Sequence, residues 1–245
     1  MNPISLKGKT IIITGGNGFL ASQFIPFLKE MGAKVHVFDK KSDKPVDITD
    51  PKSVEKAVVE VIKKDKKIDG LVHAAAIDAV PGSAVDQFAP YEKFSLEMWN
   101  KEFSVNLTAA QIVTQAVAPH MMKAKSGSIV FIASDLAMIA PNNSIYDEGK
   151  FKDIAYVSSK AGMMGLMRAW ASYLGKYNVR ANALVPGGMR NKQSDEFAKK
   201  NGMLNMLGRM SNQGEYNAAV AFLLSDATSY MTGSPMIIDG GRIAW

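Results

Sequence analysis

The chain has 245 residues, 47 % of them apolar and 21 % charged, with a formal net charge of +6 and no cysteine. The length suits one large α/β domain with a full core, and the missing cysteines exclude disulfides, thiolate metal sites and a cysteine nucleophile. No basic stripe interleaved with aromatics marks a nucleic-acid surface, and no apolar run is long enough to span a bilayer. The start, MNPISLKGKT, has no apolar signal core, so the expected location is the cytoplasm, a reducing compartment. The three histidines, at 36, 73 and 120, are too scattered to predict a metal site.

Short β-branched runs at 9–14, 33–38, 70–74, 128–133, 179–185 and 235–238 predict buried parallel strands. Helical patterns near 19–31, 52–64, 96–123, 155–176 and 214–224 lie between them. This alternation predicts a doubly wound parallel sheet in a single domain spanning 1–245, a Rossmann-type α/β fold. The stretches at 77–90 and 141–153 read as long surface loops, and 187–211 as a substrate loop.

The first strand runs into TGGNGFLA and then a helical pattern, the context of a dinucleotide fingerprint. Gly15 suits the tight turn, Gly18 lets backbone approach a pyrophosphate, and Ala21 allows close packing of helix on sheet. The second strand ends at Asp39, 24 positions beyond Gly15, near the spacing expected of a ribose-binding carboxylate. A carboxylate there repels a 2′-phosphate, which favours NAD over NADP. Lys40 and Lys41 keep NADP as the alternative, since either can pair with a phosphate. The third strand ends in VHAAA, whose small residues suit a backbone lying against a flat cofactor, and His73 reads as structural.

The segment 155–177, AYVSSKAGMMGLMRAWASYLGKY, carries Tyr156 and Lys160 on one helix face, four residues apart. A phenol has an unperturbed pKa of about 10. A close ammonium favours the phenolate, which can then exchange a proton with an alcohol or carbonyl oxygen. Tyr146 and Lys150 repeat the spacing, and Tyr146 lies nearer Ser134 in sequence. Gly149 inside that rival helix would cost about 1 kcal/mol relative to alanine, and nothing helical follows Lys150. The reading therefore assigns the pair to Tyr156 and Lys160.

Together with VDITD around Asp47, VNL around Asn106, GSIVFIAS ending at Ser134, NVRANALVPGG at 178–188 and IIDGG at 237–241, these segments resemble the short-chain dehydrogenase/reductase family over nearly the whole chain. The resemblance implies an oxidoreductase that moves a hydride between a nicotinamide and a secondary alcohol or ketone. Asn106, Ser134, Tyr156 and Lys160 would form the catalytic group. Ser134 would hold the substrate oxygen, Lys160 the ribose, and Asn106 a water linking Lys160 to solvent. Cofactor contacts would come from Gly15, Asn17, Gly18, Phe19 and Leu20, from Asp39, Asp47 and Ile48, from Ala74, Ala75 and Ala76, and from Pro186, Gly187, Met189 and Asn191, with Tyr156 and Lys160. The family also implies a homo-oligomer, dimer or tetramer, through the helices at 155–176 and 107–123. Gly162 and Gly165 would allow close approach there.

The chain departs from the family in three places. The glycine turn has GxxGxxA spacing, more like the extended branch, yet no substrate domain follows. His73, Ala74, Ala75 and Ala76 replace the usual Asn-Asn-Ala-Gly, and Asn191 stands where a threonine is common. The insert at 141–153 and the segment 187–211 resemble a subgroup linked to bacterial surface-glycan and flagellin sugar modification. That favours a polar, carbohydrate-like small molecule, with Arg190, Lys192 and Arg209 as candidate partners for an anionic group. A 3-oxoacyl ketoreductase and a non-catalytic NAD(H) sensor are the alternatives.

Overall fold

The six apolar runs form strands β1 (Thr10–Thr14), β2 (Lys34–Phe38), β3 (Gly70–His73), β4 (Gly127–Ile132), β5 (Val179–Pro186) and β6 (Pro235–Ile238) in the computed structural model, which describes residues 4–79 and 85–245. All neighbours pair in parallel, in the order β2-β1-β3-β4-β5-β6. Residue alternation along each strand supplies both faces. Ile12, Leu71, Ile129 and Phe131 pack on one side and Ile11, Ile13, Val72, Val130 and Ile132 on the other. The four inner strands, buried on both faces, need no polar alternation, while the edge strands β2 and β6 are only partly buried.

Helices α1 (Ala21–Glu30) and α7 (Asn217–Leu224) cover one face. Helices α2 (Pro51–Asp65), α4 (Ala109–Ala124) and α5 (Ile154–Leu174) cover the other. The strand order reverses between β1 and β3, and the crevice at their carboxyl ends is where such sheets bind ligands. Among the described residues, no helix is long and apolar enough to cross a membrane.

Three expectations need correction. The helix expected over 96–123 is α3 (Leu96–Phe103), a π turn at Ser104–Thr108 and then α4. The π turn carries Asn106, fully buried, at the point where the helix widens. The segment 187–211 is not all loop. Ser194 accepts a hydrogen bond from the Phe197 amide and starts α6 (Asp195–Gly202), a helix too polar for its periodicity to show. The stretch 141–153 has a 3-10 turn at Asn143–Ile145, but its end is not solvated: Lys152 and Asp153 are buried. Residues 80–84 of the loop expected at 77–90 lie outside the described residues.

Candidate active site

The glycine turn is shaped by contact with the third strand's continuation. Gly15 has φ +66°, and a Cβ there would lie 2.6 Å from Ala75 Cα. A Cβ on Gly18 would lie 2.9 Å from Gly15 O. No side chain caps α1. The Ser22 and Gln23 amides of its first turn donate to Gly18 O and Leu20 O, while the amides of Phe19, Leu20 and Ala21 make no bond among the described residues and stay open to an anion, beside exposed Asn17 and Gly18. Asp39 accepts from the amides of Asn17 (3.0 Å) and Lys41 (2.7 Å), so the carboxylate stands beside the turn. Asp47 pairs with Lys40 at 3.0 Å and accepts from Thr49, with Ile48 buried beside it. That pairing takes up Lys40. Ala74, Ala75 and Ala76 leave β3 toward the same crevice, and the Ala75 amide bonds Thr14 Oγ1 at 3.2 Å. The donor set, the small residues and the carboxylate fit a dinucleotide.

Pro186 ends β5. Gly187 donates to Ile238 O and accepts from the Tyr216 hydroxyl, both at 2.9 Å. Gln23 on α1 bonds Met189 Sδ (3.4 Å) and the Gly214 amide (2.7 Å), which fastens the segment after β5 against α1. The Asn191 amide bonds Gln193 Oε1 at 2.7 Å.

At the end of β4, Ser134 donates to Asp135 Oδ1 at 2.9 Å, and Asp135 pairs with Arg242 at 3.2 Å, all three side chains buried. The Tyr156 phenol lies close enough to Ser134 for that hydroxyl to favour its ionised form. It is placed by Asp153, which caps α5 by accepting from the amides of Ala155 (2.8 Å) and Tyr156 (3.0 Å). Lys160, buried, donates to Ile132 O at 2.7 Å. Ser134, Tyr156 and Lys160 thus converge. Asn106 serves them indirectly. Its carboxamide is engaged with Ile77 N (2.7 Å), Ile77 O (3.0 Å) and Ser159 Oγ (3.2 Å), so it braces the loop after β3 against α5.

The electrostatics differ from the expected pattern. Burial pushes the Tyr156 phenol up, Asp78 adds to this, and Lys152 and Ser134 oppose it. Burial pulls the Lys160 ammonium down to about 8. The cation nearest the ring is Lys152, whose Nζ lies 4.2 Å from the ring centre, against 5.6 Å for Lys160. Burial would discharge Lys152, but Asp78, Tyr146 and Tyr156 together outweigh it and hold the ammonium charged.

The rival pair is not helical. Gly149 has φ +73°, Lys150 pairs with exposed Asp147 at 3.4 Å, and Tyr146 packs between Phe88 (5.8 Å) and Phe197 (5.5 Å). Arg209 is engaged by Glu215 and Arg190 by Asp195, which takes two of the three candidate anion partners. His73 is structural: it bonds Thr114 Oγ1 at 2.8 Å, stacks on Phe131 and is pulled down to about 3 by burial. Sequence reasoning missed Asp78, Asp135, Lys152 and Arg242. Only Asp135 had a signal, its place next to Ser134.

Residues 5–242 match the family profile described as Enoyl-(Acyl carrier protein) reductase. A short-chain dehydrogenase/reductase from Aspergillus versicolor is 31 % identical, covering 98 % of this chain and 89 % of its own. The 3-oxoacyl-[acyl-carrier-protein] reductase of Thermotoga maritima is 29 % identical, covering 97 % and 99 %. An NAD-dependent glycerol dehydrogenase of Listeria innocua is 28 % identical, covering 97 % and 94 %. Among solved structures, a short-chain dehydrogenase from Leptospira borgpetersenii with bound NAD+ superposes with a TM-score of 0.87 at 26 % identity, covering 97 % and 93 %.

Proposed function

The chain belongs to the short-chain dehydrogenase/reductase family and is an oxidoreductase of that family, and we propose that it interconverts a secondary alcohol and a ketone on a polar, carbohydrate-like substrate with NAD. The convergence of the Tyr156 and Ser134 hydroxyls at the end of β4, with Lys160 buried behind them, carries the reading. Bound NAD would supply the acceptor or donor of the hydride. The glycine turn and the α1 N-terminus would hold its phosphates and Asp39 its ribose. The Lys40–Asp47 pair supports NAD over NADP, because it leaves Lys40 less free for a 2′-phosphate.

In reduction, Tyr156 gives its proton to the carbonyl oxygen while Ser134 holds that oxygen. In oxidation, the phenolate takes the hydroxyl proton. Burial keeps the phenol protonated near neutrality, which favours its role as acid. Ser134 donates its single proton to Asp135 in this structure and would turn it to the substrate oxygen on binding; Arg242 holds Asp135.

The polar insert at 141–153 and the segment 187–211 support a place among enzymes of bacterial surface-glycan sugar chemistry, working in the cytoplasm. Similarity to a glycerol dehydrogenase agrees with a polyol substrate. A 3-oxoacyl ketoreductase is the second reading. Exposed Met203, Met206 and Leu207 favour it, as does similarity to the Thermotoga maritima reductase. Rates of NADH or NADPH absorbance change over sugars, sugar acids, polyols and an acetoacetyl thioester decide between them. Turnover confined to the thioester overturns the carbohydrate reading.

A homo-oligomer, dimer or tetramer, is part of the proposal. A groove of about 500 Å³ on α4 and α5, lined by Met122, Leu166, Trp170 and Tyr173 among others, supports it. Gly165 on that helix is open to an approaching chain. Gly162 is not, because a Cβ there would meet Leu107 of the same chain at 2.9 Å. Sedimentation at monomer mass across micromolar concentrations would remove the oligomer.

A further inference from the structure

Two charged side chains that the proposed mechanism does not use stand at the mouth of the site. Lys152, the penultimate residue of the insert, places Nζ 2.5 Å from Asp78 Oδ1, in the segment after β3. The lysine side chain is 8 % exposed and the aspartate 43 %. The insert is bent to deliver it: the Lys152 amide donates to Asn143 Oδ1 at 2.9 Å. The other Asp78 oxygen makes no hydrogen bond among the described residues. Close by, Tyr146 packs between Phe88 and Phe197 and shares the fields of both Lys152 and Asp78.

We propose that Asp78 and Lys152 form a hydroxyl-reading pair beside Tyr156, specific for a neutral substrate with a second hydroxyl next to the reacting carbon. The inference rests on the oxidoreductase reading above and narrows its substrate class. A carboxylate oxygen with an open lone pair accepts from a hydroxyl, while the ammonium that holds its partner oxygen donates to another. The aromatic side chains suit the C–H faces of a polyhydroxylated ring. The pair has no net charge, so it offers a carboxylate or phosphate little attraction. An acyl chain laid over it would desolvate Asp78 without replacing the lost hydrogen bonds, which is costly. A site built to bond a hydroxyl discriminates strongly against the analogue lacking it.

The test compares trans-cyclohexane-1,2-diol with cyclohexanol, which differ by that one hydroxyl, in wild type, Asp78→Asn and Lys152→Met. Wild type is expected to prefer the diol in kcat/KM by about a hundredfold, less than a fully enclosed site, because Asp78 is partly exposed. Each variant is expected to lower that ratio at least tenfold. Asp78→Asn is isosteric at a half-exposed position, so folding does not confound it. Should the two rates fall together with the ratio unchanged, the pair is only a latch between the two segments. That result overturns the inference and leaves the oxidoreductase reading standing. A wild type that reduces an acetoacetyl thioester but oxidises neither alcohol overturns the inference and the carbohydrate reading together.

Discussion

The ammonium of Lys152 lies 4.2 Å above the centre of the Tyr156 ring, inside the 5.6 Å of Lys160. A cation over an aromatic face stabilises the phenolate more than the phenol, and Asp78, paired with Lys152, acts the other way. The pH profile of alcohol oxidation reads this balance, since oxidation needs the phenolate. Lys152→Met leaves Asp78 unopposed, so the rise of kcat/KM with pH moves to higher pH. Asp78→Asn moves it to lower pH. Unmoved profiles in both variants would show that neither charge reaches the phenol.

Tyr156→Phe keeps the ring and removes the transferable proton. Turnover falls about a thousandfold, in the range usual for loss of a general acid–base group. NAD binding by calorimetry changes little, because the turn and Asp39 are untouched. Tyr146→Phe retains turnover within about tenfold. The opposite pattern would return the catalytic role to the insert.

Asp39 gathers the amides of Asn17 and Lys41. Asp39→Ala removes both the ribose acceptor and the charge that repels a 2′-phosphate. The ratio of kcat/KM with NAD to that with NADP falls at least about tenfold. An unchanged ratio would place cofactor choice elsewhere.

Glu102 on α3 is fully buried, and neither of its carboxyl oxygens nor Asp153 Oδ2 makes a well-formed hydrogen bond among the described residues. Burial first, then the Asp153 carboxyl, push Glu102 up to about 8; Asp78 adds to this and Gln87 opposes it. The folded state therefore keeps a proton that the unfolded state has released from about pH 4.5 upward. Its contribution to stability is present below that pH and is lost as pH rises toward 8. The slope is at most about 1.4 kcal/mol per pH unit. Glu102→Gln flattens it, so melting temperatures at pH 5 and pH 8 lie closer together in the variant than in wild type. Equal differences would mean that Glu102 is ionised in the fold.

The resemblance and the periodicity singled out Gly15, Asp39, Ser134, Tyr156 and Lys160; in the described structure Gly15 follows β1, Asp39 follows β2, and Ser134 lies just beyond β4, all at the carboxyl ends of the strands. The choice of Tyr156 over Tyr146 was also legible. It rested on local chemistry, a glycine at 149 against a long amphipathic helix after 160, and Gly149 does take a positive φ. The burial of Asn106 in a π turn was not legible, since that turn has no distinct signature in a run of ordinary helix formers. Nor was α6, whose charged residues hide its period.

Taken alone, the order of residues determined the parallel sheet, the glycine turn after β1 and the placing of Tyr156 and Lys160 on one helix face, because strand period, glycine turns and i,i+4 neighbours are short-range properties of a chain. Only the tertiary structure decided what surrounds that phenol. Asp78 and Lys152 are 74 positions apart and meet at 2.5 Å because two loops leave the same sheet edge. That Lys152 rather than Lys160 is the cation nearest the ring follows for the same reason. Field strength depends on distance through space and on burial, and neither can be counted along the backbone.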